Sequence, residues 1–244
     1  MDFQVKFQVN DKIFMRNPEN SQIGRDIVKK GIDLINEIGL EQFTFKKLAV
    51  IADTTEATVY RYFQNKHKLL LYILNWYWSY MEFLMVFRLQ NITDTTKKLK
   101  IILELLTHEL PENASDWDYN KKNLNQIVIA ESSKVYLVKD VAEINKNEVF
   151  KPYKQLCAKI ADVISEYNPT YQYPKSLSST LIETAHHQQF FSAFLPKLTD
   201  SKPENKSEFT ANFLENLLFT ILGESPSQKS SSQKNVKTKQ NKNV

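Results

Sequence analysis

Between residues 44 and 70 the chain reads TFKKLAVIADTTEATVYRYFQNKHKLL, and this run constrains the fold more than any other stretch. It spells two consecutive helices of about two turns each, where the average globular helix has about three. Thr44 is placed to N-cap the first, with Phe43 before it stapling onto Leu48. Phe45, Leu48, Ala49 and Ala52 then share one face. Asp53 stops the helix, being one of the few non-glycine types that tolerates the left-handed backbone of a tight turn. Thr55 caps the second helix, in which Val59, Tyr62 and Phe63 point one way and Ala57 and Arg61 the other, with Thr58 and Tyr60 flanking. Asn65 caps a third. Two helices joined by a turn of this length are a helix-turn-helix, and the second is short because its first turn has to enter a major groove about 12 Å wide.

From Arg25 to Leu71 the chain resembles the DNA-binding domain of the tetracycline-repressor (TetR) family. The residues that carry the resemblance are Gly39, Thr44, Leu48-Ala49, Thr55, Thr58-Val59-Tyr60, Tyr62-Phe63, Lys66 and Leu69. The chain departs from the family pattern at Asp53, where a turn glycine is usual, and at Thr54, Ala57 and Tyr62. The resemblance implies an all-α fold, a three-helix head followed by a larger ligand-binding and dimerisation domain, about nine helices in all. It implies phosphate contacts from Thr44 and Lys46 at the start of the first short helix, with a base as the alternative reach of Lys46, and phosphate contacts from Tyr60, Tyr62 and Lys66. Thr55, Glu56, Ala57 and Arg61 project toward the groove. There Arg61 suits a guanine, Glu56 a cytosine amine, and Ala57 or Thr58 a thymine methyl. Lys47 and Lys68 read as solvated charges.

Ahead of this head, FQVKFQVNDKIFMRNP alternates Phe3, Val5, Phe7 and Val9 with polar residues, turns at Asn10-Asp11 and resumes with Ile13 and Met15. The period of two predicts a short β-hairpin. It serves either as a lid on apolar surface or as a basic arm carrying Lys6, Lys12 and Arg16. The first long helix has an apolar stripe through Ile23, Ile27, Val28, Leu34, Ile35 and Ile38, with Gly31 inside it to admit another helix and Gly39 at its C-cap. Later helical patterns cover 65–89, 96–109, 121–138, 145–167, 177–195 and 208–222. The expected division is an arm at 1–20, a helix-turn-helix domain at 21–68, an effector-binding and dimerisation domain at 69–224, and a disordered basic tail at 225–244.

The helix from Asn65 is crowded with aromatic residues. Such a stripe fits a core, and in the TetR resemblance this helix also links the head to the effector pocket. Trp76, Tyr80 and Phe83 are the candidate effector contacts, suited to a small apolar or aromatic ligand. The resemblance pairs the last two helices with those of a second subunit, making Phe191, Phe194, Phe213, Leu217 and Ile221 the candidate dimer contacts. His186 and His187 diverge by about 100° on a helix, so they do not chelate one metal ion; a polar patch on a packed or dimeric surface is expected instead.

Other classes are set aside on simple grounds. Only four glycines are present and no phosphate-loop motif, so nucleotide chemistry is not expected. The single cysteine, Cys157, reads as a small buried hydrophobe in a chain of the reducing cytoplasm. Asn75, Ser79 and Glu82 interrupt the apolar run at 69–87, which argues against a membrane span. The formal net charge of +4 is modest, and residues 1–68 hold eleven basic against nine acidic side chains, so charge alone does not announce a nucleic-acid binder. No nucleophile-base set, metal spacing or cofactor motif appears, and neither an enzyme nor a cofactor is expected. The expectation is a ligand-responsive regulator, a repressor by the resemblance, binding a palindromic double-stranded DNA operator as a homodimer. The rival is an all-α carrier or interaction module whose helix-turn-helix is structural only.

Overall fold

Eleven α-helices carry the chain in the computed structural model, which describes residues 7–108, 119–139 and 141–223. They are α1 (Gln22–Gln42), α2 (Phe45–Ile51), α3 (Glu56–Tyr60), α4 (Lys66–Leu89), α5 (Thr95–Thr107), α6 (Lys121–Glu131), α7 (Ser133–Tyr136), α8 (Val141–Lys146), α9 (Lys151–Tyr167), α10 (Pro174–Phe194) and α11 (Lys206–Leu222). Among the described residues there is no strand. The described residues form two compact units, one within 7–88 and 108–156 and the other within 89–107 and 157–223.

The first unit is built around α1 and α4. Ser21 N-caps α1 by accepting from Gly24 N–H, and Gly39 ends its regular part at φ 71°, ψ 158°, a conformation open essentially to glycine. Gly31 does admit a neighbour: a Cβ there would lie 3.1 Å from Leu69 Cδ2 of α4. α4 is buried on most sides, from Leu69 through Met85, as expected of a helix apolar nearly all round. α6 is tied across α1 by polar contacts. Asn36 Nδ2 donates to Asn123 Oδ1 (3.1 Å), Asn123 Nδ2 to Asp33 Oδ1 (2.8 Å), and the buried Leu40 N–H to Glu131 Oε1 (3.1 Å). The compact unit therefore runs past residue 68, with the helix-turn-helix inside it.

The expected hairpin is replaced by a strap: no strand forms among the described residues, and the chain turns where expected, with Ile13 N–H donating to Asn10 O (3.2 Å). Phe3 and Val5 lie outside the described residues. From Phe7 onward, Val9 and Ile13 are buried, and Phe7 packs on α4 with its ring centroid 5.6 Å from that of Trp76. Met15 N–H donates to Tyr62 O (2.9 Å), so a backbone donor that a hairpin would pair with a second strand goes to the end of α3. Alternating apolar residues require an extended backbone, and here helices supply the apolar surface that a sheet would have supplied. A 3-10 turn, Pro18–Asn20, follows. Its Glu19 Oε1 accepts from the hydroxyls of Tyr72 (2.9 Å) and Tyr119 (2.7 Å). Burial, together with the facing Glu19 carboxylate, holds both phenols above the usual tyrosine range, so both remain donors.

In the second unit α11 lays Leu214, Leu218 and Leu222 inward, with α5 and α10 packed against it. Gly223, at φ 68°, ends α11, and its carbonyl accepts from Tyr167 Oη (3.1 Å) while Leu222 O accepts from Asn168 Nδ2 (2.9 Å). Cys157 is half-buried rather than buried, and its carbonyl receives the Ser178 hydroxyl. The two histidines diverge as the helical rotation requires. His186 is 4% exposed, and His187 is exposed and stacks on Phe191. Burial pushes His186 down to about 4, with His187 acting in the same direction and Glu183 against it. Its folded value lies below its unfolded value, so the unfolded chain takes up the proton first as pH falls. Stability is expected to be intact above pH 6.5 and to decline progressively toward pH 4. Thermal unfolding across that range checks this, and His186→Gln is expected to flatten the decline.

Candidate functional site

The exposed face of α2 and α3 follows from their caps. Thr44 Oγ1 accepts from Lys47 N–H (3.2 Å) and starts α2, whose Phe45, Leu48 and Ala49 are buried. Asp53 adopts φ 48°, and Thr54 N–H returns to Ala49 O (2.9 Å) to close the turn. Thr55 Oγ1 accepts from Thr58 N–H (3.1 Å) and also lies 2.9 Å from Thr58 Oγ1. α3 is only five residues long. Val59, Tyr62 and Phe63 anchor it from behind, fully buried. Thr55, Glu56, Ala57, Tyr60 and Arg61 are exposed and Thr58 is half-buried, while Thr44 and Lys46 are exposed on α2. Nine of the ten candidate DNA-contacting residues thus reach the surface of the head.

Tyr62 does not. It is 1% exposed, its hydroxyl is hydrogen-bonded to Ser21 Oγ (2.7 Å), and the Arg16 guanidinium lies 5.5 Å from its ring centroid. Its position next to Phe63 turns it inward, and it packs α3 onto the start of α1. Lys66 is half-buried and already engaged, donating to Leu40 O (2.9 Å) and Glu41 O (3.2 Å) at the end of α1. An ammonium carries three donors, which leaves one N–H for a further acceptor. Lys47 and Lys68 are also engaged, with Nζ donating to Gln42 O (2.8 Å) and Lys12 O (3.0 Å) respectively. Tyr60 leans edge-on against Phe45 with centroids 4.9 Å apart.

Because α3 is so short, its cap matters. Thr55→Ala is expected to cost about 1 kcal/mol and to speed amide exchange at Thr58. Exchange monitored residue by residue checks this, and unchanged protection at Thr58 would contradict the role of the cap.

Trp76, Tyr80 and Phe83 are brought together. Trp76 and Tyr80 are buried and stacked at 5.5 Å, Phe83 is partly exposed, and the Phe7 ring sits 6.0 to 6.2 Å from Phe83 and Tyr80. Tyr119 closes on Trp76 at 5.2 Å. Burial raises the Tyr80 phenol, with Arg88 opposing. The strap thus fills the space in front of this stripe. Open space lies along a neighbouring stripe of α4. A cavity of about 20 Å³ touches Leu74, Asn75, Trp78 and Tyr153, and a cleft of about 650 Å³ is lined by the strap, by Asn75 and Ser79, and by the turn between α8 and α9. Sequence reasoning did not assign these residues to a site, although Asn75 and Ser79 stand out as polar positions in an apolar helix.

In the second unit the candidate dimer contacts lie on outward faces. Phe194 is 65% exposed, Phe213 and Ile221 are exposed, and Phe191 and Leu217 are half-buried. Among the described residues no cluster of three or more His, Cys, Asp or Glu could hold a metal ion, and no helix is long and apolar enough to cross a membrane.

Similarity to known proteins bears on the head and on the fold. The family model described as bacterial regulatory proteins, tetR family, matches residues 27–73. No curated protein matches the sequence. Among solved structures, AibR in complex with isovaleryl coenzyme A and operator DNA is 17% identical, over 80% of this chain and 97% of that one, with a TM-score of 0.55. The fatty acid degradation regulator FadR from Bacillus halodurans is 17% identical over 83% and 96%, with a TM-score of 0.56. A transcriptional regulator from Rhodococcus sp. Rha1 is 15% identical over 84% and 97%, also at 0.56. At these identities the structures share a fold. The cap, turn and anchor geometry of α2 and α3 and the match over residues 27–73 agree, so this segment is similar to the amino-terminal domain of bacterial regulatory proteins of the tetR family.

Proposed function

We propose that the protein is a ligand-responsive transcriptional regulator of the cytoplasm, a repressor that binds a palindromic operator as a homodimer. The observation that carries this reading is the presentation of α3. Its first turn is exposed and capped, and its rear is held by Val59, Tyr62 and Phe63. Arg61, Glu56, Ala57 and Thr58 read base edges. Thr44, Lys46, Thr55, Tyr60 and the remaining N–H of Lys66 hold phosphates and set the register. Two copies must reach major grooves about 34–36 Å apart or a multiple of it. The outward apolar faces of α10 and α11, with Phe191, Phe194, Phe213, Leu217 and Ile221, supply the dimer contact. The arm (1–20), head (21–68) and effector and dimerisation domain (69–224) are the corresponding functional parts, and the basic tail (225–244) lies outside the described residues. AibR, a neighbour in fold, is complexed with both operator DNA and an acyl coenzyme A, which supports pairing a DNA-binding head with an effector here. Trp76, Tyr80 and Phe83 are candidate effector contacts on α4. An effector changes DNA affinity only by its differential affinity for the two states.

Selection of bound duplexes from a random pool, followed by gel shift, tests the proposal. The expected result is a discrete complex on a sequence with two related half-sites. A protein that enriches no sequence and forms no complex at low salt would instead fit the carrier reading.

A further inference from the structure

The end of α1 is gripped from two sides at a single residue. Gly39, at ψ 158°, turns the peptide that follows it out of helical orientation, so the Leu40 N–H leaves the α1 ladder. Leu40 is buried, and a buried backbone donor needs an acceptor. Glu131 Oε1 supplies it at 3.1 Å, from a residue 91 positions further along the chain. The carbonyl of Leu40 is held from the other side, by Lys66 Nζ at 2.9 Å, which also donates to Glu41 O (3.2 Å). Glu131 lies on α6 and Lys66 on α4, and both helices belong to the same compact unit as α1.

Lys66 is the first residue of α4, where the helix dipole disfavours a cation. Its charge is accommodated there because the carbonyls at the end of α1 face it, and a phosphate would complete the neutralisation. An ammonium has three N–H groups. With two committed to Leu40 O and Glu41 O, tetrahedral geometry lets the position of those carbonyls fix the direction of the third. That position depends in turn on Glu131, which is buried and has its charge balanced by Lys134 Nζ, 2.8 Å from Oε2. Lys134 Nζ also lies 3.3 Å from Glu41 Oε1, but that carboxylate is exposed, so the second pair adds little. The bond that sets the end of α1 is therefore the one from Leu40 N–H to Glu131. Thr44, the N-cap of α2, follows four residues later.

We propose that Glu131 is a positioning residue for DNA contact: by accepting from Leu40 N–H it sets the two carbonyls that aim the remaining N–H of Lys66 at a phosphate. It acts through Lys66 and touches no DNA itself. The DNA half of the proposal rests on the regulator reading given above, whereas the hold of Glu131 on Lys66 stands on the geometry alone.

Three substitutions at one position, made in the full chain, separate the roles. Glu131→Gln keeps an acceptor for Leu40 N–H and loses the charge, Glu131→Asp keeps the charge and draws the acceptor back by one methylene, and Glu131→Leu removes both. Affinity for the selected operator and for a scrambled duplex is measured against salt for each, alone and combined with Lys66→Ala. Glu131→Gln is expected to bind within about twofold of the parent, and Glu131→Asp and Glu131→Leu to lose about tenfold per half-site on both duplexes, with the salt slope reduced by about one. In the Lys66→Ala background these losses are expected to vanish, because the contact being positioned is already gone. A carboxylate needed only for stability would give the reverse order, with Glu131→Asp near the parent and Glu131→Gln impaired, and its losses would add to that of Lys66→Ala. Either result overturns the proposal, and the Asp and Gln variants decide it even where Glu131→Leu fails to fold. NMR of the free protein reads the hold without DNA. The Lys66 ammonium, bonded to two carbonyls, is expected to exchange slowly in the parent and in Glu131→Gln and fast in Glu131→Asp; the same signal in all three overturns the proposal. A signal that responds as expected, while neither Lys66→Ala nor any Glu131 variant alters DNA binding, leaves the hold standing and removes the Lys66 phosphate contact from the regulator reading.

Discussion

Gly24→Ala is expected to lower the thermal midpoint by about 6–12 °C, the equivalent of about 3 kcal/mol. A Cβ at this position would lie 2.4 Å from Pro18 O, 2.7 Å from Pro18 Cα and 2.9 Å from Pro18 C. All three are backbone atoms, so no side-chain rotation relieves the overlap. The 3-10 turn has to lift, and Glu19 lifts with it. Tyr72 and Tyr119, both buried, then lose their common acceptor, and each unsatisfied hydroxyl costs about 1–3 kcal/mol if nothing replaces the bond. Gly31→Ala is the control. Its Cβ would meet Leu69 Cδ2 at 3.1 Å and Leu48 Cδ2 at 3.9 Å, both ends of flexible side chains. The gain of about 1 kcal/mol in helix propensity offsets that adjustment, and a shift within about 3 °C is expected. A Gly24→Ala protein melting with the parent would show that the turn does not bear on α1.

Gly24 was not legible in the sequence, and the reason separates what reading can recover from what it cannot. The caps at Thr44, Thr55 and Asn65, the left-handed Asp53, and the buried faces of α2 and α3 all follow from interactions within a few residues. The structure shows them as read. Gly31 was legible because it interrupts an apolar stripe. Gly24 carries no such mark, since its need arises from a turn six residues earlier folding back onto the helix. The same logic explains the strap. Period two records extension, and whether an extended segment meets a strand or a helix is settled by residues far away, here Trp76 and Tyr62. The pattern at 145–167 hid the break between α8 and α9 because Glu148 turns left-handed with neither glycine nor proline to signal it. The polar positions Asn75 and Ser79, which argue against a membrane span, are the same ones that line the cleft. Their chemistry was readable, but the wall opposite them was not.

Arg61→Ala is expected to weaken binding to the selected operator by about 5- to 150-fold per half-site, the equivalent of about 1–3 kcal/mol, with little loss on scrambled DNA. Arg61 is the C-cap of α3 and exposed. Removing its side chain leaves the Thr55 cap and the Val59 and Phe63 anchors in place, so the loss reports DNA recognition rather than folding. Lys46→Ala provides the contrast. On the proposed reading this exposed lysine, on the first turn of α2, meets a phosphate, which carries no sequence information, so its removal is expected to weaken selected and scrambled duplexes alike. It should also reduce the slope of log affinity against log salt by about one for each phosphate that goes unneutralised. The two substitutions therefore separate in a plot of selectivity against salt dependence: Arg61→Ala moves along the first axis and Lys46→Ala along the second. Equal losses from Arg61→Ala on both duplexes would mean that α3 rests on the backbone without reading bases. The exposed face from Thr55 to Arg61 would then position the head, and the operator sequence would have to be distinguished through the shape of the duplex instead.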